Sequence, residues 1–267
     1  MNHLYSKFKN SKGVSIDTRV LKAGELFFCL KGANFNGNKF AEQAIEKGAH
    51  FVIIDDPQYF TNSGKMILVD DSLKTLQDLA THHRQQFTIP IIGITGTNGK
   101  TTTKELISAV LSQKYQVLFT QGNLNNHIGV PLTLLRLRDH HDLAVIEMGA
   151  NHVGEIAELC QMVQPNYGVL TNVGHAHLEG FGSFENVLLT KKALYTAVER
   201  KKGLLFVNAD DETLMQESKD LIRTTYGTMP GSDVKVQLIG HSLKLKLEWK
   251  DRVMITHLFG PYNLSNV

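Results

Sequence analysis

The chain has 267 residues, which is long for one domain and comfortable for two. Hydrophobic residues make up 42% and charged residues 20%, the composition of an ordinary soluble globular protein. With 28 basic against 26 acidic residues the formal charge is +2, which gives no argument for nucleic acid or an anionic membrane surface as a partner. The start, Met1 to Lys7, lacks the apolar stretch of a signal peptide, and no apolar run reaches the roughly 18–20 residues that span a bilayer. Two cysteines, Cys29 and Cys160, lie far apart in apolar settings and fit a reducing compartment. A cytoplasmic monomer without membrane insertion is the expectation.

Taken in chain order, residues 1–87 predict a small N-terminal α/β domain. Phe27–Leu30 and Phe51–Ile54 are short apolar strands. Between them, apolar residues at Phe40, Ala41, Ala44 and Ile45 have helical spacing, and Gly48 supplies the stop. Met66–Val69 reads as a strand, and Ser72 as the N-cap of a helix with Leu73, Leu76, Leu79 and Ala80 on one face. Pro90 disfavours helix at Ile89 and marks the join to a second domain, residues 88–267. There the pattern becomes strand, loop, helix, repeated. Ile91–Thr95, Leu143–Met148, Gly168–Val173 and Gly203–Asn208 are apolar on both faces and far apart in sequence, as in a parallel sheet covered by helices. Helices fit at Thr102–Gln113, Gly154–Val163 and Val187–Glu199. Near the end, Leu243, Leu245, Leu247 and Trp249 alternate with Lys244, Lys246 and Glu248 before a turn and Val253–Phe259, which predicts an antiparallel hairpin with one wet face. The fold class is therefore α/β, with a central P-loop ATPase-like domain whose mainly parallel sheet carries an antiparallel extension.

The strongest signal is Ile91-Ile92-Gly93-Ile94-Thr95-Gly96-Thr97-Asn98-Gly99-Lys100-Thr101-Thr102, a buried strand feeding a glycine-rich turn that opens a helix. Gly96 and Gly99 allow the backbone to approach phosphate oxygens, and the helix N-terminus adds partial positive charge. In this pattern Lys100 reaches the β- and γ-phosphates and the Thr101 hydroxyl holds Mg²⁺. The strict P-loop spacing is off by one, because its first glycine stands at 93 and residue 94 is isoleucine. The loop points to ATP or GTP but not to a reaction.

The string Thr95-Gly96-Thr97-Asn98-Gly99-Lys100-Thr101-Thr102 resembles the Mur ligases and their folylpolyglutamate synthetase relatives. Gly122-Asn123-Leu124-Asn125-Asn126-His127-Ile128-Gly129-Val130-Pro131 is similar to the segment of the family member that adds D-alanyl-D-alanine. So are Ile146-Glu147-Met148-Gly149-Ala150, the run Asn172 to Gly182, and Ser15-Ile16-Asp17-Thr18-Arg19 followed by Gly24 to Phe28. The resemblance runs from about residue 13 to the end. One departure is Asn36-Gly37-Asn38, where the family often has Asp-Gly-His. The family also carries a third, Rossmann-like domain, and the resemblance implies that this chain stops before it, binding ligands while turning over poorly.

The resemblance implies ATP, Mg²⁺, UDP-N-acetylmuramoyl-tripeptide and D-alanyl-D-alanine as ligands. On the residues alone, Glu147 at a strand end is as compatible with a solvated carboxylate as with a metal ligand; the resemblance implies the metal role. It likewise assigns His177 to a second Mg²⁺, leaves His175 structural, and implies a CO₂-derived carbamate on Lys191 that turns a cation into a metal-binding anion. Lys192 is adjacent, but helical neighbours point about 100° apart, so only one faces the site. Asn263 and Asn266, at i and i+3, are placed around the nucleotide. Ser15, Thr18 and Arg19 are placed at the UDP end, and Asn123, Asn125 and Asn126 at sugar or peptide. Asn208 and Asp211 match another family stretch without a role. The implied reaction is an ATP-dependent amide ligation in which Lys100, His177 and Lys191 are catalytic. Alternatives are another Mur ligase, a folylpolyglutamate synthetase, or a non-catalytic nucleotide-binding module.

Overall fold

A computed structural model of the chain describes residues 1–61, 64–174, 178–240 and 244–267. The fold is α/β and divides into two compact units: Met1–Thr88 with His127–Arg138, and Ile89–Asn126 with Asp139–Val267. The sequence pattern ran the second domain unbroken from residue 88; in the structure a short segment of it, 127–138, belongs with the first unit.

The first unit is built on a parallel sheet in the order Val14–Ser15, Leu26–Phe28, Phe51–Ile54, Met66–Leu68. Leu26, Phe27 and Phe28 are buried on both faces, which is why this strand reads as a continuous apolar run rather than an alternating one. Helix Ala41–Glu46 and the longer helix Ser72–Arg84 flank it. The cap of the latter is Asp71, whose carboxylate accepts from Lys74 N; Ser72 is the first helical residue, and its own N–H goes to Asp55 Oδ2 at 3.1 Å. The expected cap was thus one residue too late, because two adjacent capping residue types compete for the position. Helix Gly129–Leu134 packs on Ser72–Arg84. A helix not expected from the pattern, Asn2–Lys9, buries Leu4 and Phe8. Phe8, Tyr5 and Phe87 surround His83, whose ring nitrogens meet Tyr5 Oη and the Leu137 carbonyl, both at 3.1 Å.

The second unit holds a seven-stranded sheet, parallel throughout among the described residues. Its order is Val234–Lys235, Arg223–Gly227, Leu204–Asn208, Tyr167–Leu170, Ile91–Thr95, Leu143–Glu147, Val117–Phe119. The chain enters at Ile91–Thr95, goes out to one edge, comes back to Leu143–Glu147, and then crosses to Tyr167–Leu170 on the other side. The carboxyl end of Ile91–Thr95 is therefore a topological switch point, where open α/β sheets leave a crevice for ligands. Helices Lys100–Leu111, Glu155–Val163 and Phe184–Arg200 cover the faces. Phe184–Arg200 begins earlier than its apolar pattern suggests because the Ser183 hydroxyl accepts from Asn186 N at 3.2 Å and caps it. The strand expected to reach Val173 ends at Leu170. Beyond it, Thr171 and Asn172 turn their polar groups onto the loop after Ile91–Thr95 instead of continuing the ladder.

The antiparallel extension has three strands, Gln237–Gly240, Lys246–Trp249 and Arg252–Ile255. Leu245 and Leu247 are buried and Lys246 is exposed, the alternation of a one-sided sheet. Lys250 and Asp251 both take positive φ, 48° and 62°, the turn geometry that matches strand twist. Leu243 lies outside the described residues. Among the described residues no helix is long and apolar enough to cross a membrane.

Candidate functional site

The loop that follows Ile91–Thr95 is shaped by two glycines. Gly96 has φ +150° and Gly99 φ +79°, and a Cβ at either would collide, with Thr171 Oγ1 and with the Asn266 side chain respectively. Gly99 is the N-cap of helix Lys100–Leu111, so the free N–H groups of its first turn open toward the loop. The strand end at residues 171–174 laces the loop in place. Thr171 Oγ1 and Asn172 Nδ2 donate to the Asn98 carbonyl at 2.6 and 3.0 Å, and Asn98 N donates back to Asn172 Oδ1 at 3.0 Å. Thr97 N donates to the Asn172 carbonyl at 3.0 Å, and Gly174 N to Thr97 Oγ1 at 2.8 Å.

Two lysines converge on this loop. Lys100 Nζ donates to the carbonyls of Gly96 and Thr97 at 2.8 and 2.9 Å, and the buried Lys191 Nζ donates to the same Gly96 carbonyl at 3.0 Å. Burial lowers the pKa of Lys100, against the pull of Glu147. Burial, then the charge of Lys100, depresses Lys191 from 10.5 to about 8. Two cations sharing one acceptor form a site that an anion would relax.

Glu147 ends the strand Leu143–Glu147 and is 1% exposed. Its Oε1 accepts from Thr101 Oγ1 at 3.1 Å and from Asn125 Nδ2 at 2.8 Å. Its Oε2 is buried and has no hydrogen-bond partner among the described residues. A buried carboxylate oxygen left unpaired is costly, and a bound cation is one remedy. Among the described residues no group of three or more His, Cys, Asp and Glu could hold a metal. One carboxylate and one hydroxyl nevertheless fit Mg²⁺, which keeps several waters and takes its remaining oxygens from phosphates. As an amine, Lys191 is a donor and not a metal ligand.

Asn266 and Asn263 come from the terminal turn Pro261–Asn266. Asn266 Nδ2 donates to Asn263 Oδ1 at 2.9 Å, and its Oδ1 lies against Gly99 and accepts from Thr103 Oγ1 at 3.5 Å. Asn125 is half-buried and its Nδ2 donates to Glu147 Oε1, while Asn123 and Asn126 are exposed. His177 and His175 lie outside the described residues. Thr95 is buried in its strand, and Thr102 is half-buried on the helix. Lys192 points elsewhere, to Glu217 at 2.5 Å. Asn208 Oδ1 accepts from Asp210 N, and Asp211 caps Glu212–Glu217, both local structural roles. Sequence reasoning gave no role to Lys104, Thr120, Thr171 or Asn172, each of which makes a polar contact to a residue at least sixteen positions away.

In the first unit Ser15 and Thr18 are buried. Ser15 Oγ donates to the Asp17 carbonyl at 3.1 Å, and the Thr18 carbonyl accepts from Lys47 Nζ at 2.7 Å. Arg19 is exposed and paired with Asp17 at 2.6 Å, a contact that holds the Asp17 carboxyl down at about 2. Asn38 is 1% exposed and bridges to Asp55 through both amide atoms, Nδ2 to Oδ1 at 2.8 Å and Oδ1 from Asp55 N at 3.1 Å, so its place in the Asn36-Gly37-Asn38 departure is structural.

The profile of the Mur ligase middle domain matches residues 94–267, and that of the Mur ligase family catalytic domain matches residues 10–84. A UDP-N-acetylmuramoyl-tripeptide–D-alanyl-D-alanine ligase of Bacillus subtilis is 38% identical over 95% of this chain, which spans 56% of that protein. A MurF crystal structure from Acinetobacter baumannii superposes with TM-score 0.84 at 29% identity, over 99% of this chain and 62% of its own. The MurF ligase of Thermotoga maritima, solved in complex with ADP, superposes with TM-score 0.83 at 29% identity, over 97% of this chain and 61% of its own.

Proposed function

The chain belongs to the Mur ligase family, and on that premise we propose that it is the nucleotide- and UDP-substrate-binding part of an ATP-dependent ligase that joins D-alanyl-D-alanine to UDP-N-acetylmuramoyl-tripeptide. The observation that carries the reading is the meeting of Thr101 Oγ1 and the half-unsatisfied Glu147 carboxylate at the mouth of the Gly96–Gly99 loop. The substrate assignment rests on the names of relatives of which this chain spans about half.

The reaction asks two anions to meet. The terminal carboxylate of the peptide attacks the γ-phosphorus of ATP, the bond to the β-phosphate oxygen breaks, and an acyl phosphate and ADP result. The neutral amine of D-alanyl-D-alanine then attacks the acyl carbon, phosphate leaves, and the ammonium proton is lost to water. In the first step Lys100 gives up the Gly96 and Thr97 carbonyls for phosphate oxygens and offsets the repulsion, with the N–H groups of the first helical turn beside it. Thr101 and Glu147 would hold a Mg²⁺ ion, which would neutralise further charge at the phosphates. Thr171 and Asn172 fix the Asn98 peptide so that the loop does not reorganise during transfer. Asn266 closes the loop at Gly99, where the reading places the nucleotide.

Lys191 carries a CO₂-derived carbamate in this proposal. The step adds the neutral amine to CO₂, forms an N–C bond and releases one proton. The depressed pKa, about 8, gives the neutral amine a substantial share just above neutrality. The carbamate nitrogen retains one N–H, so its bond to the Gly96 carbonyl survives while the new anion answers the Lys100 charge. The pair of buried free thiols and a nucleotide-linked substrate suit the cytoplasm.

Calorimetric titration of the chain tests the proposal, first with Mg·ADP and then with UDP-N-acetylmuramoyl-tripeptide against the dipeptide form. Nucleotide binding together with a preference for the tripeptide is expected. Binding of nucleotide with no preference between the two would remove the substrate assignment, and absence of nucleotide binding would remove the whole reading.

A further inference from the structure

Lys104 stands on the same helix as Thr101, three residues on, and its side chain is 0% exposed. Its Nζ donates to the Thr120 carbonyl at 2.8 Å, pairs with Glu105 at 2.7 Å, and lies 6.0 Å from the Phe119 ring centroid. None of these partners is a phosphate-binding group. Thr120 follows the edge strand Val117–Phe119 and is itself fully buried. Its N–H still reaches across to the Val145 carbonyl at 3.1 Å. After that the Thr120 peptide leaves the ladder. The carbonyl turns to Lys104, and the hydroxyl Oγ1 takes over as acceptor for Glu147 N at 2.9 Å. The backbone of Glu147 is thus anchored, on the side where the edge strand has ended, by one threonine hydroxyl. That threonine is anchored in turn by a buried ammonium.

We propose that Lys104 is a positioning residue that, through Thr120, fixes Glu147 so that its carboxylate meets Thr101 at the cation site. The inference rests on the reading of Glu147 and Thr101 as the Mg²⁺ holders. A buried charge is a poor choice for packing alone, since an apolar side chain of the same length avoids desolvation and serves stability at least as well. It is a good choice for orienting a carbonyl, because an ammonium can donate to several acceptors at once and resists losing them in a dry site. The helix therefore delivers two groups to one carboxylate. Thr101 touches Glu147 Oε1 directly, and Lys104 secures the peptide behind it. Removing either Lys104 or the Thr120 hydroxyl leaves a buried main-chain group unpaired beside Glu147 and lets that strand end drift.

The test compares ADP affinity with and without Mg²⁺ (the latter in chelator) by calorimetry on the full chain and on Glu147→Gln, Lys104→Met, Thr120→Val and Thr120→Ser. Affinity of Mg²⁺-free ADP depends on the loop and its lysine, so it reports intact folding. Glu147→Gln is expected to abolish the Mg²⁺-dependent gain. Lys104→Met and Thr120→Val are each expected to cut that gain by about tenfold, the low end of what outer-shell partners of metal ligands cost. Thr120→Ser keeps the hydroxyl and should hold the gain within about twofold. If Lys104→Met also loses Mg²⁺-free ADP binding, the Thr120→Val and Thr120→Ser pair decides alone. A full Mg²⁺-dependent gain in Lys104→Met or Thr120→Val, with Glu147→Gln defective, overturns the positioning role and leaves the site reading intact. A full gain in Glu147→Gln instead overturns the site reading itself.

Discussion

Replacing Lys191 with methionine isolates the burden of holding a cation beside Lys100 in a buried place. In the folded chain the group titrates at about 8 instead of 10.5, chiefly through burial and secondarily through Lys100. The sign follows from proton counts. Between pH 8 and 10.5 the unfolded chain keeps the proton that the folded chain has released, so stability rises with pH across that window. Below about 8 the lysine is charged in both states and the full penalty is present. The gap is about 2.5 pH units, and at about 1.4 kcal/mol per unit the penalty is about 3.5 kcal/mol, with about 2 to 3 kcal/mol of it relieved by pH 10. Lys191 is only 4% exposed, so solvent screening removes little of this. Urea unfolding of the wild type and Lys191→Met at pH 7 and pH 10, in CO₂-free buffer, reads the difference directly, because other titrations cancel between the two proteins. The wild type should gain about 2 to 3 kcal/mol on Lys191→Met over that interval. Adding bicarbonate at pH 8 should stabilise the wild type and leave the variant unmoved. A wild-type advantage that stays flat from pH 7 to 10 would refute the account of Lys191 as a desolvated cation, and with it the argument that the site prepares a neutral amine.

Gly96→Ala places a Cβ against Thr171 Oγ1 at φ +150°; ADP affinity should fall more than tenfold, with a loss of about 1 to 3 kcal/mol in stability measured by urea unfolding. His83→Ala removes a buried ring packed by Phe8 and Phe87 together with its bonds to Tyr5 Oη and the Leu137 carbonyl, so about 2 to 4 kcal/mol of stability should go in the same assay. Asp71→Ala removes the N-cap of Ser72–Arg84 and should cost about 1 kcal/mol. Ser72→Ala should cost clearly less than Asp71→Ala, because the Ser72 hydroxyl is buried without a hydrogen-bond partner among the described residues. The reverse order would return the cap to Ser72.

The turn shaped by Gly96 and Gly99 was legible because a glycine-rich loop is a local object: its residues are neighbours in sequence, and each type is demanded by backbone shape or charge within one turn. The strands Ile91–Thr95 and Leu143–Glu147 were legible for a related reason, since burial on both faces leaves an unbroken apolar run. The strands Val117–Phe119 and Arg223–Gly227 left no such trace. The first is three residues long, and the second is polar enough to pass for a loop. The deeper failure concerns polar side chains whose partners are distant. The apolar pattern of a helix carries no sign of a buried lysine, so the burial of Lys104 against Thr120, at sixteen residues' separation, is invisible in it. The contact of Asn125 with Glu147 is hidden for the same reason: nothing in its neighbourhood announces a partner 22 residues on. In both cases periodicity records how much apolar surface an element must hide, while the carboxylate's geometry depends on a few hydrogen bonds that cross between elements. The loop proposed to meet phosphate can therefore be read residue by residue, whereas the orientation of the group that would hold its cation is a property of the sheet edge, and only the fold brings Lys104, Thr120 and Asn125 to it.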